Sequence, residues 1–274
     1  SFVTRYDNPN KTLTEPYVGQ KLGDIWGFRT DGFFKTDDEA LNSINQDIVN
    51  TMINQEVVDN GLHAGDLKYV DLDGNGILER TTSAGDIKDM VVIGNSLPRL
   101  NYSFSLGFDW KGIDFSMMFQ GIGWQNWYPG TQCSLFWGPY GRPHNSFLPA
   151  DFMSKVWSPD NPDTYFPRPR GYVANKTDRE LGATNDRYLQ NIGYLRLKNL
   201  TLGYSLPKKW MDAIKMQKIR VYFSGENLFT LSSLKSKYID PEQAGTANNW
   251  KTYSSDAKVY PYAITYTFGI DIIF

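Results

Sequence analysis

The run Asp71-Leu72-Asp73-Gly74-Asn75-Gly76-Ile77-Leu78-Glu79 places oxygen donors at the first, third and fifth positions of a loop whose sixth residue is glycine. That is the spacing of the first half of an EF-hand type calcium loop, with the Ile77 carbonyl and the Glu79 carboxylate as further oxygens. The bidentate acid wanted at position twelve is missing: Thr82 stands there, and Asp86 reaches the site only if the chain folds back. The same residues also favour a tight Asx/Gly turn without an ion, so Ca2+ at this turn is one expectation and a bare turn the other. Beyond that, the sequence requires no cofactor. His63 and His144, its two histidines, belong to no nucleophile elbow or paired catalytic motif, and the expectation is a protein that is not an enzyme.

The other chemistry on offer is recognition by aromatic side chains. Aromatics make up 15% of the 274 residues, and Trp124, Trp127, Tyr128, Trp137 and Tyr140 crowd a stretch with little periodicity. Exposed, they could stack on sugar faces or cover a partner protein; buried, they would form a small core that holds the loop together. A net charge of -2 offers nothing to nucleic acid. One cysteine, Cys133, rules out an internal disulfide framework and reads as a buried small residue.

The elements that must position these residues are strands. From Tyr260 to Phe274 the even positions are Tyr260, Tyr262, Ile264, Tyr266, Phe268, Ile270, Ile272 and Phe274, while Ala263, Thr265, Thr267, Gly269 and Asp271 fill odd ones. A period of two with aromatics towards both ends predicts a membrane-crossing strand with interfacial girdles. Residues 99–122 carry the same grammar. Leu100 to Trp110 alternates apolar with polar, Lys111-Gly112 turns, and Ile113, Phe115, Met117 and Phe119 return. Residues 193–231 supply two more strands, with Leu200, Leu202, Tyr204 and Leu206 on one face of the first and Ile219, Val221 and Phe223 on one face of the second. No run of about 18 apolar residues predicts a membrane helix, but alternating strands escape that test.

Parity then assigns the ends. With residues 259–274 as a closing strand running towards the periplasm, the short links at Lys111 and Pro207 are periplasmic. The long connections 7–98, 123–192 and 232–258 are extracellular, and residues 1–6 are the upper end of a further strand. A helix is expected near 38–58, where Leu41, Ile44, Ile48 and Met52 keep helical spacing behind a cap at Asp37 or Asp38. Polar partners of the apolar stripe, Arg99, Asn101, Asp109, Asp114, Gln120, Arg220 and Glu226, face the lumen on this reading. The fold class is all-β, a transmembrane antiparallel β-barrel segment with long extracellular loops.

Several stretches carry a resemblance to one family. VGQKLGDIWGFRTDGFF, GDLKYVDLDGNGIL, VVIGNSLPRLNYSFSLGFDWKGIDFSMMFQG, YLRLKNLTLGYSLP, IRVYFSGENLFTL and YTFGIDIIF occur in the order found in SusC-like (SusC/RagA) TonB-dependent outer-membrane transporters of Bacteroidota. The resemblance is to their C-terminal part. It implies the last strands of a 22-stranded barrel with a plugged lumen, with plug and TonB-contacting segment outside these residues. It also implies an outer-membrane location among lipid, energy from TonB, and a SusD-like surface lipoprotein as lid. Thr267, Gly269, Ile272 and Phe274 resemble the barrel-assembly signal of such proteins.

The expected activity is therefore active import of oligosaccharides as the barrel subunit of a SusCD-type complex. The alternatives are the same machinery importing peptides, a secreted β-rich carbohydrate-binding module, and a passive pore.

Overall fold

The computed structural model describes residues 1–50, 61–141, 147–245 and 253–274. Along them run β1 (Asp24–Phe28), β2 (Thr30–Phe33), α1 (Asp37–Leu41), β3 (Leu67–Tyr69), β4 (Met90–Asn95), β5 (Asn101–Trp110), β6 (Ile113–Ile122), β7 (Asn126–Pro129) and α2 (Ser134–Trp137). There follow β8 (Gln190–Asn191), β9 (Tyr194–Ser205), α3 (Lys208–Ala213), β10 (Lys218–Ser232), α4 (Pro241–Ala244), β11 (Ser254–Ser255) and β12 (Thr265–Ile273).

The five long strands form one antiparallel sheet in the order β12-β10-β9-β6-β5. Its register sorts the side chains as the alternation predicts. Phe104 lies opposite Phe119, Leu106 opposite Met117 and Phe108 opposite Phe115, and the row continues through Leu202, Phe223 and Phe268. Phe104 and Phe119 stack at 4.7 Å between ring centroids, and Phe108 and Phe115 at 5.2 Å. This apolar face is bare: Leu106 is 51% exposed, Ile270 65% and Phe268 80%. A soluble sheet buries its apolar face, whereas a barrel wall turns it towards hydrocarbon. Four of the strands have between 9 and 12 residues and β10 has 15, which is enough to cross a bilayer with tilt.

The two ends of the sheet differ. At one end β5 and β6 are joined by Lys111 and Gly112, both with positive φ (49° and 88°), the pair of conformations a two-residue hairpin turn requires. At the same end the link through α3 is short. At the other end leave the long connections before β5, between β6 and β9, and between β10 and β12. Near that end two strands carry bulges. Lys198 is extra in β9 and Asn227 and Leu228 are extra in β10, so the ladder resumes at Leu197 and Phe229 with the apolar face kept. The sequence pattern reads Leu200 and Leu202 correctly but loses Leu195 and Leu197, because the one extra residue in β9 reverses its parity, whereas the two in β10 leave Phe229 in phase with Phe223.

The long connections are not loose. Phe28 and Leu67 from the first, Trp127, Phe136, Trp137, Phe152 and Tyr188 from the second, and Ile239 and Ala257 from the third share one hydrophobic core. Small sheets stitch this body together: β1 with β4, β2 with β3, and β11-β7-β8.

Three expectations need correction. Ser1–Tyr6 does not join the sheet; Phe2 makes an isolated bridge to Lys21, and Val3 and Gly19 exchange backbone contact beside it. Of the helix expected near 38–58, the described residues form a single turn, Asp37–Leu41. Thr36, not Asp37 or Asp38, caps it by accepting from the Glu39 N–H at 3.1 Å. It stops at Asn42, and Asn45 gives its backbone N–H to the Gly76 carbonyl at 2.9 Å and accepts from the Leu78 N–H at 2.7 Å, a strand-like bridge to Ile77. Met52 lies outside the described residues. The last strand begins at Thr265 rather than at 259. Pro261 has no N–H for a ladder, and the Tyr262 N–H turns to Asp240 at 3.2 Å.

Candidate functional site

The inner face of the sheet carries an ion-paired centre near its short-turn end. Arg220 on β10 donates to both carboxylate oxygens of Asp114 on β6, at 2.9 and 2.6 Å, and to Asp271 on β12 at 3.0 Å. The guanidinium reaches across β9 because Gly203 lies between: a side chain there would fall on the Asp114 carboxylate and Arg220 Nε. Asp109 faces Asp114 in register, and Gln120 faces Arg196. Asn101 and Glu226 sit on the same inner parity, towards the other end, while Arg99 precedes β5 and gives its N–H to the Trp124 carbonyl at 3.0 Å. The structure thus brings Asp114 and Arg220 together with Asp109 opposite Asp114, adds Asp271, and leaves Arg99, Asn101, Gln120 and Glu226 apart from this centre.

The DLDGNG turn is built from its own side chains. Asp71 accepts from the Gly74 and Gly76 N–H groups at 2.6 and 2.7 Å, and the Gly76 contact leads in holding its carboxyl below the usual carboxylate range. Asn75 accepts from the Ile77 N–H and donates to Glu79 at 2.8 Å each. The carboxylates that gather within 4.8 Å of one another are Asp71, Asp73 and Asp89, not Glu79. Asp89 is fully buried and takes the N–H groups of Leu72 and Glu79, each at 2.6 Å. The missing distal acid thus has a counterpart at Asp89, eighteen residues after Asp71 by number; Asp86 instead pairs its backbone with Ser83. Asp71, Asp73 and Asp89 are the residues that could hold a divalent cation.

Two buried charge clusters have no motif in the sequence. Arg196 on β9 donates to Asp240 at 2.6 Å, to Glu242 at 2.8 Å and to Thr230 at 2.8 Å, and Lys198 joins Glu242 at 2.9 Å. This set ties the last long connection to the sheet. In the loop body Arg168 grips Asp66 at 2.6 and 3.1 Å, with Arg170 beside Asp66 and Glu180. Burial, reinforced by the Asp66 charge, pushes the Glu180 carboxyl up to about 7. Only the Asp-Pro-Glu cap of α4, Asp240-Pro241-Glu242, offers a local signal.

No protein-family model matches the chain. Curated relatives do match. It is 31% identical to TonB-dependent receptor P3 of Formosa agariphila over 210 residues, 75% of this chain and 19% of that protein. It is 34% identical to TonB-dependent receptor SusC of Bacteroides thetaiotaomicron over 91 residues, 33% of this chain and 8% of that protein. The chain belongs to the SusC-like TonB-dependent receptors. This SusC-like chain spans about a fifth of the length of the receptors P3 and P26 of Formosa agariphila. Among solved structures, the RagAB peptide transporter shares its fold with a TM-score of 0.58 at 20% identity, over 98% of this chain and 24% of that one.

Within the SusC-like segment, the aromatic candidates mostly fill the core. Trp127 and Trp137 are fully buried, Tyr140 is 1% exposed and Tyr128 2%. Their polar atoms are used internally: Trp127 Nε1 donates to Ser255, Trp137 Nε1 to the Gly130 carbonyl, Tyr128 to Leu181 and Ala183, and Tyr140 to Pro167. As direct ligand contacts these four are corrected; burial of large rings outweighs display when the loop must build its own core. Trp124 alone is well exposed, with Nε1 donating to Asn126 at 3.1 Å. Of the assembly residues, Thr267 and Gly269 lie on the inner face and Ile272 on the outer, with Phe274 just past β12. Gly269 has a packing reason: Tyr222 lies over it, and a Cβ would run into the ring. His63 packs by Asp37, 3.5 Å away, and His144 lies outside the described residues.

Proposed function

We propose that the chain is part of the outer-membrane barrel of an active nutrient importer. In this reading a TonB-driven receptor works with a SusD-like surface lipoprotein and changes nothing chemically in what it carries. The observation that carries this is the sheet itself: a bare apolar face on one side, an Arg220–Asp114–Asp271 centre on the other, and all long connections at one end. A soluble carbohydrate-binding module, the other class considered, has no use for such a face. The substrate is an oligosaccharide or a peptide. The oligosaccharide reading loses the support of the four buried aromatics and keeps Trp124; the peptide reading is supported by the cavity described below.

The test is uptake by cells carrying the whole receptor. Growth on the substrate should fail when TonB or the partner lipoprotein is deleted, and the purified receptor should need detergent. Extraction in plain buffer, or uptake independent of TonB, would sink the proposal.

A divalent cation at the DLDGNG turn is likewise a proposal. It rests on the motif and on the convergence of Asp71, Asp73 and Asp89. A calcium-dependent rise in the melting temperature that Asp73→Asn removes would support it; identical melts in calcium and in chelator would dismiss it.

A further inference from the structure

A cavity of about 310 Å³ lies between the second and third long connections. Its floor is aromatic. Phe136, Phe152 and Phe166 are buried there, with Phe152 stacked on Phe166 at 4.8 Å. Tyr165 closes one side, edge-on to Phe166 at 5.0 Å. The rim is of another character: Lys155, Lys235 and Lys237 are exposed around the mouth.

The charges on this rim do not cancel. Lys155 is paired with Asp151 at 2.9 Å. Neither Lys235 nor Lys237 has a carboxylate within salt-bridge distance among the described residues; their ammonium groups stand over the rings of Tyr165 and Tyr238, at 5.6 and 5.5 Å. The rim therefore keeps a surplus of positive charge above an apolar floor. That combination selects a ligand with one apolar end and one anionic end.

The lining also discriminates between classes of such ligand. A sugar ring presents hydroxyls that need planar acceptors such as Asp, Glu, Asn or Gln, and none lines this cavity. Of its three hydroxyl groups two are already engaged: Ser236 donates to the Leu135 carbonyl at 2.7 Å, and Tyr165 accepts from Gln190 at 2.8 Å and donates to the Arg187 carbonyl at 3.1 Å; the third, on Tyr238, stands at the exposed rim beside Lys237. An aromatic or aliphatic side chain meets no such deficit.

We infer that this cavity binds the C-terminal residue of a peptide, its apolar side chain on the Phe152–Phe166 floor and its free carboxylate between Lys235 and Lys237. The inference deepens the importer reading and rests on it for the meaning of the ligand, but binding can be measured without transport. The probes are N-acetylated pentapeptides ending in Phe, as free acid and as C-terminal amide, together with an oligouronate of similar length. They are titrated into the intact receptor in detergent.

The free acid should bind at least about tenfold tighter than the amide, since only it forms a charge-assisted contact. Lys235→Gln with Lys237→Gln should bring the acid down to the level of the amide and leave the amide unchanged, both lysines being exposed and outside the core. Equal binding of acid and amide, tighter binding of the oligouronate with the same lysine dependence, or no binding of any probe would overturn the inference. TonB-dependent uptake in parallel separates the two claims: if it persists while acid and amide bind alike, the pocket assignment falls and the importer reading stands.

Discussion

Trp137 shows why residue type and spacing mislead when a loop has to fold on itself. Its ring packs edge-on to Phe136 at 4.9 Å and to Tyr188 at 5.1 Å, and its Nε1 is satisfied by Gly130. Trp137→Ala should therefore cost about 3–5 kcal/mol in the loop body, as truncation of large core aromatics does. The checking measurement is protease sensitivity of residues 123–192, and an unchanged digestion pattern would put the ring outside the core. Glu180 offers a second test. Its carboxyl is raised to about 7 by burial and the Asp66 charge, so between the ordinary glutamate range and about 7 the folded state holds a proton that the unfolded chain has released. Stability from this group is full below the unfolded value and is lost as pH rises through about 7. Melting of the loop body should fall from pH 5.5 to pH 8, and Glu180→Gln should flatten that slope. The glutamine keeps the acceptor for the Leu67 N–H, which Glu180 meets at 2.9 Å.

Among the elements, the wall strands were the most legible part of the chain, because alternation over ten residues in β5 and β6 leaves no other regular reading. What the alternation could not show lies where a second force acts on the backbone. The bulge at Lys198 shifts the period of β9, Pro261 and the Asp240 contact delay β12, and the bridge from Asn45 to Ile77 ends α1 early. The pairing of Arg196 with Asp240 and Glu242 was invisible because Arg196 stands forty or more positions before them and meets them only after β9 and β10 pair. One element-scale prediction concerns Tyr222, which packs across the glycine of β12. Gly269→Ala should destabilise the β10–β12 pairing by about 1–3 kcal/mol, the usual cost of overpacking. Tyr222→Ser in the same chain should recover most of it, measured by heat-modifiability of the assembled receptor. A double variant no better than the single one would show that the glycine serves something other than this ring.

For the whole molecule, the central claim is that five strands separate two environments, hydrocarbon outside and a polar, ion-paired interior. The long connections share one core rather than trailing as separate loops, so the segment is a wall with a folded cap at one end. The sequence held the wall in its periodicity, and it held the cap only as an excess of aromatics whose burial depends on contacts between distant stretches. The most direct measurement is a cysteine scan of β5 in the intact receptor reconstituted in liposomes. The native Cys133 is a quiet background, being fully buried with its thiol pushed up to about 12 by burial. Single cysteines at Ser103, Phe104, Ser105, Leu106, Gly107 and Phe108 are labelled and probed with a lipid-soluble quencher and a water-soluble one. Positions 104, 106 and 108 should respond to the lipid-soluble quencher and 103, 105 and 107 to the aqueous one, alternating without a break. A uniform response along the strand, in either solvent, would contradict the barrel wall.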